Sequence, residues 1–409
     1  MNRTNKLSVI GIAVFTGVAI MGDAMLSIVL PIYWSDMGLT AVWQVGVLLS
    51  INRFVRLPIN PLVGFFYRHY SLRLGISIAM GLAIVSTFSY GIFSQFSILV
   101  MMRIVWGIAW SLLRLGGFLS IIQLTSKTDR GQFIGLYNGV WGIGSLIGML
   151  VGGLLIAETS IRFITTLFGL IGCVTFPFVP FLTPSGKKEP TVQKTTTDQQ
   201  KPLLALDQFV LTLSTSMVMG LLIFGVFSNT LSARIDQSYQ DNWTFMSFAF
   251  TSTAIAGIIQ AVRWGWAPFL APFIGKYLDH TKHKQQALIC FLLSLSALFA
   301  LIGSINQISF VIVLLLLFQF VSTGFVTTTD TIASDLAEKG DSIKVITFHT
   351  IMVDTGAALG PLLAFGLLEY FPLRVVYLIA SILLFVLAIG WISWLRKKQN
   401  DPFAFSVRK

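Results

Sequence analysis

Five arginines and three aspartates stand inside otherwise apolar stretches of this 409-residue chain, and they define the chemistry open to it. The bases are Arg53, Arg56, Arg103, Arg114 and Arg263; the acids are Asp23, Asp330 and Asp354. At the centre of a membrane helix such a group costs about 2.5–3.5 kcal/mol on insertion scales, so it must face a partner or water. A guanidinium fork matches a carboxylate or phosphate bidentately. An acid whose surroundings alternate between apolar and cationic can take up and release a proton. Asp23 and Asp354 sit well inside their stretches and are the candidates for proton exchange. Each could instead be a static partner of an arginine. Asp330 lies nearer the end of its stretch and reads as structural. His349 precedes Asp354 by five residues, about 140° away around a helix.

Spacing sets where these groups point. At about 100° per residue, Arg53 and Arg56 share a helix face that Asn60 continues. Arg103 and Arg114 are eleven residues apart and align within about 20°, with Trp106 and Trp110 between them. A stripe of Arg, Trp, Trp and Arg is expected to line a water-filled cavity rather than face lipid. Arg263, flanked by Trp264 and Trp266, is a further cavity candidate. Indoles offer flat stacking surfaces. The set therefore suits an organic anion or zwitterion with an apolar or ring portion, such as a multi-carboxylate metallophore of the opine type or an amphipathic anionic drug. A lipophilic cation fits poorly. The competing reading is that these arginines pair with acids or carbonyls and only hold helices together.

The elements that must position them are membrane helices. Hydrophobic residues make up 55% of the chain and charged residues 11%, and the mean hydropathy is +0.80. A soluble domain carries about 25% charged residues, so this chain lacks the charge to coat a soluble globule. Twelve stretches reach the roughly 20 apolar residues that a span requires: 7–33, 41–66, 74–94, 96–124, 133–156, 161–181, 206–231, 245–277, 286–303, 308–331, 345–368 and 373–394. They are long and continuous rather than alternating at period two, which predicts helices and not strands. The first is too long for a signal-peptide core and lacks a small-residue cleavage site, so it reads as a retained helix. Cys173 and Cys290 fall in separate stretches and read as buried small hydrophobes.

Basic residues give the expected orientation. Of the 28 Lys and Arg, five lie within spans and Arg162, Arg234 and Arg374 on one side, leaving 20 on the side that carries both termini. That asymmetry places both termini in the cytoplasm. The net charge of +11 then reflects orientation and proximity to anionic lipid, with no reason to invoke nucleic acid.

A polar segment, Thr183–Pro202, divides six stretches from six. It predicts a six-helix bundle over residues 1–182, a cytoplasmic linker over 183–205, and a second bundle with a short basic tail over 206–409. The halves repeat. Asn60-Pro61-Leu62-Val63-Gly64 matches Ala271-Pro272-Phe273-Ile274-Gly275 at an offset of 211, and Gly144-x3-Gly148-Met149-x2-Gly152-Gly153 matches Gly356-x3-Gly360-Pro361-x2-Ala364 at 212. Parallel repeats of this kind place a site between halves and operate by rocking. Glycines four apart let backbones approach closely; they serve packing alone, or packing and rocking together.

At these residues the chain resembles the major facilitator superfamily, over essentially its whole length. Gly275-x3-Asp279-His280-x-Lys282-His283-Lys284 is similar to the family's loop motif. Its first-half copy, Gly64-x3-Arg68-His69-x-Ser71-x-Arg73, has arginine in place of aspartate. Arg103-x3-Gly107 resembles the family's arginine motif, and Gly135-x8-Gly144-x3-Gly148-Met149-x2-Gly152-Gly153 its antiporter motif, with Met149 in place of proline. The resemblance implies an all-α integral membrane fold of twelve helices in two pseudo-symmetric bundles. It implies a drug:proton antiporter-like exporter in the bacterial cytoplasmic membrane, monomeric, handling a small molecule and protons, with the loop and glycine motifs governing conformational change. It also implies that Arg68 meets an acid near the eleventh helix, Asp341 or Glu338, to close the cytoplasmic side.

Alternatives in the same fold are an importer or uniporter of an organic anion, or a flippase of lipid headgroups. No Walker A, His-Glu-x-x-His or Gly-x-Ser-x-Gly sequence occurs, so neither ATP hydrolysis nor another catalytic activity is expected. No cofactor or metal is expected either; His280 and His283 beside lysines read as solvated loop residues.

Overall fold

The computed structural model describes residues 3–125, 130–183, 204–238, 243–245, 248–280, 283–338 and 342–400. Among these residues twelve long helices follow one another: α1 Arg3–Val29, α2 Val42–His69, α3 Leu72–Ile92, α4 Phe96–Leu124, α5 Arg130–Leu155, α6 Ile161–Leu182, α7 Asp207–Ser238, α8 Ser252–His280, α9 Lys284–Ser304, α10 Ile308–Glu338, α11 Ser342–Leu368 and α12 Leu373–Asn400. Ten of them are long and apolar enough to cross a bilayer. α2 has 28 residues and α8 has 29, enough at about 1.5 Å per residue to exceed a hydrocarbon core of about 30 Å.

Local chemistry sets the breaks and bends. Ser71 and Ser160 cap α3 and α6 by accepting from the backbone N–H of Leu74 and Phe163. Such caps satisfy N–H groups that the first helical turn leaves unpaired. α6 tightens into a 3₁₀ turn at Phe176–Phe178, where Pro177 removes a donor. α7 widens into a π-helix over Gly220–Phe227, and Ser228 Oγ donates to Ile223 O, five residues back, at 2.7 Å.

Two boundaries differ from the sequence expectation. α7 continues to Ser238, so Arg234 lies buried on the helix, not in a loop, and donates to Ser238 Oγ at 2.5 Å. α8 begins at Ser252, and the residues before it form a two-stranded antiparallel hairpin pairing Trp243–Phe245 with Phe248–Phe250. Those residues alternate aromatic and small side chains, a strand-favouring pattern that the overall apolar character of the stretch concealed.

The chain forms two compact units. One contains residues 1–193 and 229–264; the other contains 194–228 and 265–409. α7 and α8 are each divided between them. Within the first unit, α1 packs on α5, α3 on α4 and α6, and α2 on α4. Within the second, α7 packs on α11, and α9 on α10 and α12. First-on-fifth and third-on-sixth pairing thus recurs in each half.

Glycines make the equivalent seams. A Cβ on Gly144 or Gly148 would run into the backbone of Gly17 or Met21, and one on Gly152 into the Met25 side chain. A Cβ on Gly356 would strike the Met217 carbonyl, and one on Gly360 the backbone of Leu221 and Gly225. Gly153 faces elsewhere, against Thr253 and Gly257 of α8. Pro361 lies inside α11.

Apolar side chains also cover the outside. Phe310, Val313, Leu317 and Phe320 form a helical stripe on α10, and Ile379, Ile382, Val386 and Ile389 form one on α12, all exposed. Such surface is stable against hydrocarbon and not against water. Cys173 and Cys290 belong to this exposed surface as free thiols. The expectation that they are buried is therefore corrected: in a membrane helix, apolar character places a residue against lipid as readily as in the core.

Candidate substrate and proton sites

In the first unit the centre is an ion pair. Asp23 on α1 binds the Arg103 guanidinium on α4. Arg103 Nε donates to Leu48 O on α2 at 2.6 Å, and Asn52 Nδ2 donates to Asp23 Oδ1 at 3.2 Å. The Tyr90 ring lies 6.0 Å from the guanidinium. Gly107 lets α4 approach α2 at Asn52, since a Cβ there would meet the Asn52 carbonyl. Arg103 is 3% exposed and Asp23 19%. A buried arginine is stable only when its charge and its N–H groups are both answered, and here a carboxylate and a carbonyl answer them.

That pairing splits the expected stripe. Arg103 and Trp106 are enclosed within the bundle, and Arg114 is exposed. Arg103 is the partner of Asp23, which is one of the two readings its sequence position left open. Trp110 remains central. The Arg56 guanidinium stacks over its ring at 5.3 Å. Trp141 of α5 meets it edge-on, with centroids 5.4 Å apart, and Trp106 lies tilted against it at 6.2 Å. Trp141 Nε1 donates to Asn138 Oδ1 at 3.1 Å. Arg53 is half-buried and Asn60 exposed on the same helix as Arg56.

Trp141, Asn138, Asn52 and Tyr90 were not singled out by sequence reasoning. The available signal was the spacing of Asn138 and Trp141 one helical turn before Gly144.

A cleft of about 240 Å³ lies at the end of the first unit where α1 ends and α6 begins, lined by Tyr33, Asp36, Tyr90, Ser160 and Arg162 among others. Tyr90 thus stands between this cleft and the Asp23–Arg103 pair. Burial raises the pKa of the Tyr33 phenol, a hydrogen bond with Thr253 works against that, and Asp236 and Asp36 add to the rise.

In the second unit, Asp354 is half-buried on α11, and among the described residues no ion pair reaches it. His349 lies five residues earlier on the same helix. Its Nδ1 is 2.7 Å from Ser216 Oγ on α7, and its Nε2 is 3.2 Å from Asp330 Oδ1 on α10. Nearby, Trp391 Nε1 donates to Thr215 Oγ1 at 2.9 Å.

The basic residues that end the two loop motifs each reach a helix end. Lys284 binds Asp335 at 2.7 Å, and Arg73, 211 positions earlier, donates to Thr183 O at the end of α6 through Nε and Nη2, each at 3.3 Å. Arg68 is exposed. Asp341 and most of the 183–205 linker lie outside the described residues, as do the side chains of Arg263, Asp279 and Glu338 on their helices.

Two units of long helices that repeat first-on-fifth and third-on-sixth packing, with apolar side chains outside and a buried ion pair within the first, define a polytopic α-helical membrane carrier. The sequence profile of the Major Facilitator Superfamily matches residues 12–268 and again 267–407. The chain belongs to that superfamily and is a transporter of it. It is similar to the quinolone resistance protein NorA of Staphylococcus aureus, with 24% identity over 241 residues in strain MRSA252, covering 58% of this chain and 61% of the relative. In strain Mu50 the identity is 26% over 171 residues, covering 42% and 44%. The chain thus aligns with less than two thirds of the length of these relatives. Among solved structures, a bacterial homologue of the human lysosomal transporter Spinster, inward-facing and unoccupied, matches with a TM-score of 0.76 at 12% identity, covering 98% of this chain and 99% of that one. The nucleoside transporter NupG matches with a TM-score of 0.71 at 16% identity, covering 97% and 99%.

Proposed function

We propose that this transporter is a proton-coupled antiporter that exports a small organic anion or zwitterion across a bacterial cytoplasmic membrane, with both termini inside. The carrying observation is the buried Asp23–Arg103 pair, to which Asn52 and Leu48 also bind. Protonation of Asp23 would remove the charge that holds Arg103, and deprotonation would restore it. An acid tied to an arginine in this way can exchange its proton only when the local arrangement changes, which is the requirement for coupling.

Cargo chemistry follows from Arg56, Trp110 and Trp141. A cation over one indole with another edge-on supports recognition of a carboxylate attached to a flat ring system. Arg53 and Arg114 supply further positive charge. A piperazinyl quinolone is such a zwitterion, and the NorA relatives are named for quinolone resistance. That name also supports the outward direction.

The test uses purified full-length protein in liposomes with a fluorescent piperazinyl quinolone as probe. An imposed pH gradient should drive its accumulation, and Asp23→Asn should diminish the response to the gradient. Accumulation by Asp23→Asn equal to that of the unaltered protein under the same pH gradient would rule out Asp23 as a coupling acid. A cationic dye transported in preference to the quinolone would rule out the anionic cargo.

A further inference from the structure

We infer that His349 and Asp330 hold one proton between them and form a second proton-carrying site, in the second unit and separate from Asp23. The argument is a count of hydrogens. Ser216 Oγ makes two short contacts, 2.8 Å to Thr212 O and 2.7 Å to His349 Nδ1. A carbonyl only accepts, whereas an imidazole nitrogen can donate or accept. Both contacts carry a hydrogen only if the hydroxyl donates to Thr212 and Nδ1 donates to the hydroxyl. Nδ1 is then the protonated nitrogen of the neutral ring, and Nε2 is left with a lone pair.

That lone pair lies 3.2 Å from Asp330 Oδ1. Two acceptors at this distance repel unless a proton lies between them. The proton comes from water and binds either Nε2, giving imidazolium and carboxylate, or the carboxyl oxygen. In both cases the pair gains one positive charge, and its release leaves two lone pairs opposed across the α10–α11 seam.

The surroundings fit a carried proton. The Asp330 side chain is 53% exposed, giving water access, while the His349 ring is 13% exposed. Among the described residues no other charged group competes for the ring. On α7, Asp207 is bound to Lys397 of α12 at 3.0 Å. On α10, Asp335 is bound to Lys284 of α9. Asp354 lies five residues on along α11 itself. Ser216, Asp330 and His349 come from α7, α10 and α11, so gain or loss of the proton changes how three helices are held together.

A ligand-free measurement tests the shared proton. Full-length protein with ¹⁵N-labelled histidine is placed in nanodiscs, and the His349 signals are identified by their loss in His349→Gln. Nδ1 should carry its hydrogen throughout, and Asp330→Asn should change the Nε2 signal. A bare Nδ1, or an Nε2 indifferent to Asp330→Asn, overturns the shared proton.

The transport measurement rests on the antiport reading and uses the quinolone probe. His349→Gln, checked for folding by thermal unfolding, should still carry the probe down its concentration gradient. With a gradient of about one pH unit, one proton fewer per cycle lowers the accumulation limit about tenfold. Undiminished accumulation overturns the coupling role. A wild-type protein blind to the pH gradient would overturn antiport itself, while the spectroscopic result would still decide whether the pair holds a proton.

Discussion

Arg103 on α4 and Asp23 on α1 form an ion pair inside the first unit, with the guanidinium also anchored to Leu48 O on α2. Three helices therefore depend on one arginine. Arg103→Ala leaves the Asp23 carboxylate buried without its cation and should cost about 3–5 kcal/mol, read as a lower unfolding temperature in detergent. Arg103→Lys should recover little of it. A single ammonium cannot reproduce a fork whose Nε and Nη groups address different helices. Asp23→Asn keeps an acceptor for Arg103 but leaves its buried charge unanswered, so it should also lower the unfolding temperature, while the response to a pH gradient is weakened.

The glycine seam makes a contrast between neighbours on one helix. Gly144 packs against the backbone of Gly17, whereas nothing lies within 4 Å of a Cβ added at Gly139. Gly144→Ala must separate α1 from α5 or break their contact, so expression and thermal stability should fall sharply. Gly139→Ala should be neutral or stabilising by up to about 1 kcal/mol, from helix propensity alone. Equal losses at both positions would show that the close approach of α1 and α5 is not what Gly144 provides.

Magnitude separates the two kinds of charge contact in this protein. Lys284–Asp335 joins two helix ends with side chains 15% and 37% exposed, and partly exposed pairs contribute about 0–1 kcal/mol. Lys284→Met should therefore change the unfolding temperature by only a degree or two, an order of effect below that of Arg103→Ala. A large loss would mean that this end of the second unit relies on the pair.

Most of the architecture is legible in the sequence because membrane helices must satisfy their own backbones and be apolar over a fixed length. Repeated glycines at an offset of 212 foretold that α1–α5 and α7–α11 are equivalent seams. The site is legible only in part. The residue types inside the spans announced buried charge, but periodicity gives a direction around one helix and no partner on another. Arg103 therefore kept both of its readings open until Asp23 was seen beside it. The spacing of His349 from Asp354 describes one helix only, while its partners, Ser216 and Asp330, come from α7 and α10. The hairpin at 243–250 was hidden because its apolar content was read as span and its alternation overlooked.

Trp110 is the position where the cargo reading is most exposed to experiment. Its ring carries Arg56 at 5.3 Å and meets Trp141 edge-on at 5.4 Å. Trp110→Phe keeps an aromatic face, though a weaker one, whereas Trp110→Ala removes the platform beneath Arg56. A cation–π contact away from bulk water is worth about 1–2 kcal/mol, so Trp110→Ala should weaken quinolone binding roughly tenfold, measured by equilibrium dialysis on purified protein. Trp110→Phe should weaken it only a few-fold. Arg56→Gln should match the alanine variant for a carboxylate-bearing quinolone and make little difference for its methyl ester, because the ester no longer offers a charge. If the acid and the ester lose affinity equally, Arg56 acts on the fold and not on the cargo, and the preference for anions would have to rest on Arg53 and Arg114 alone.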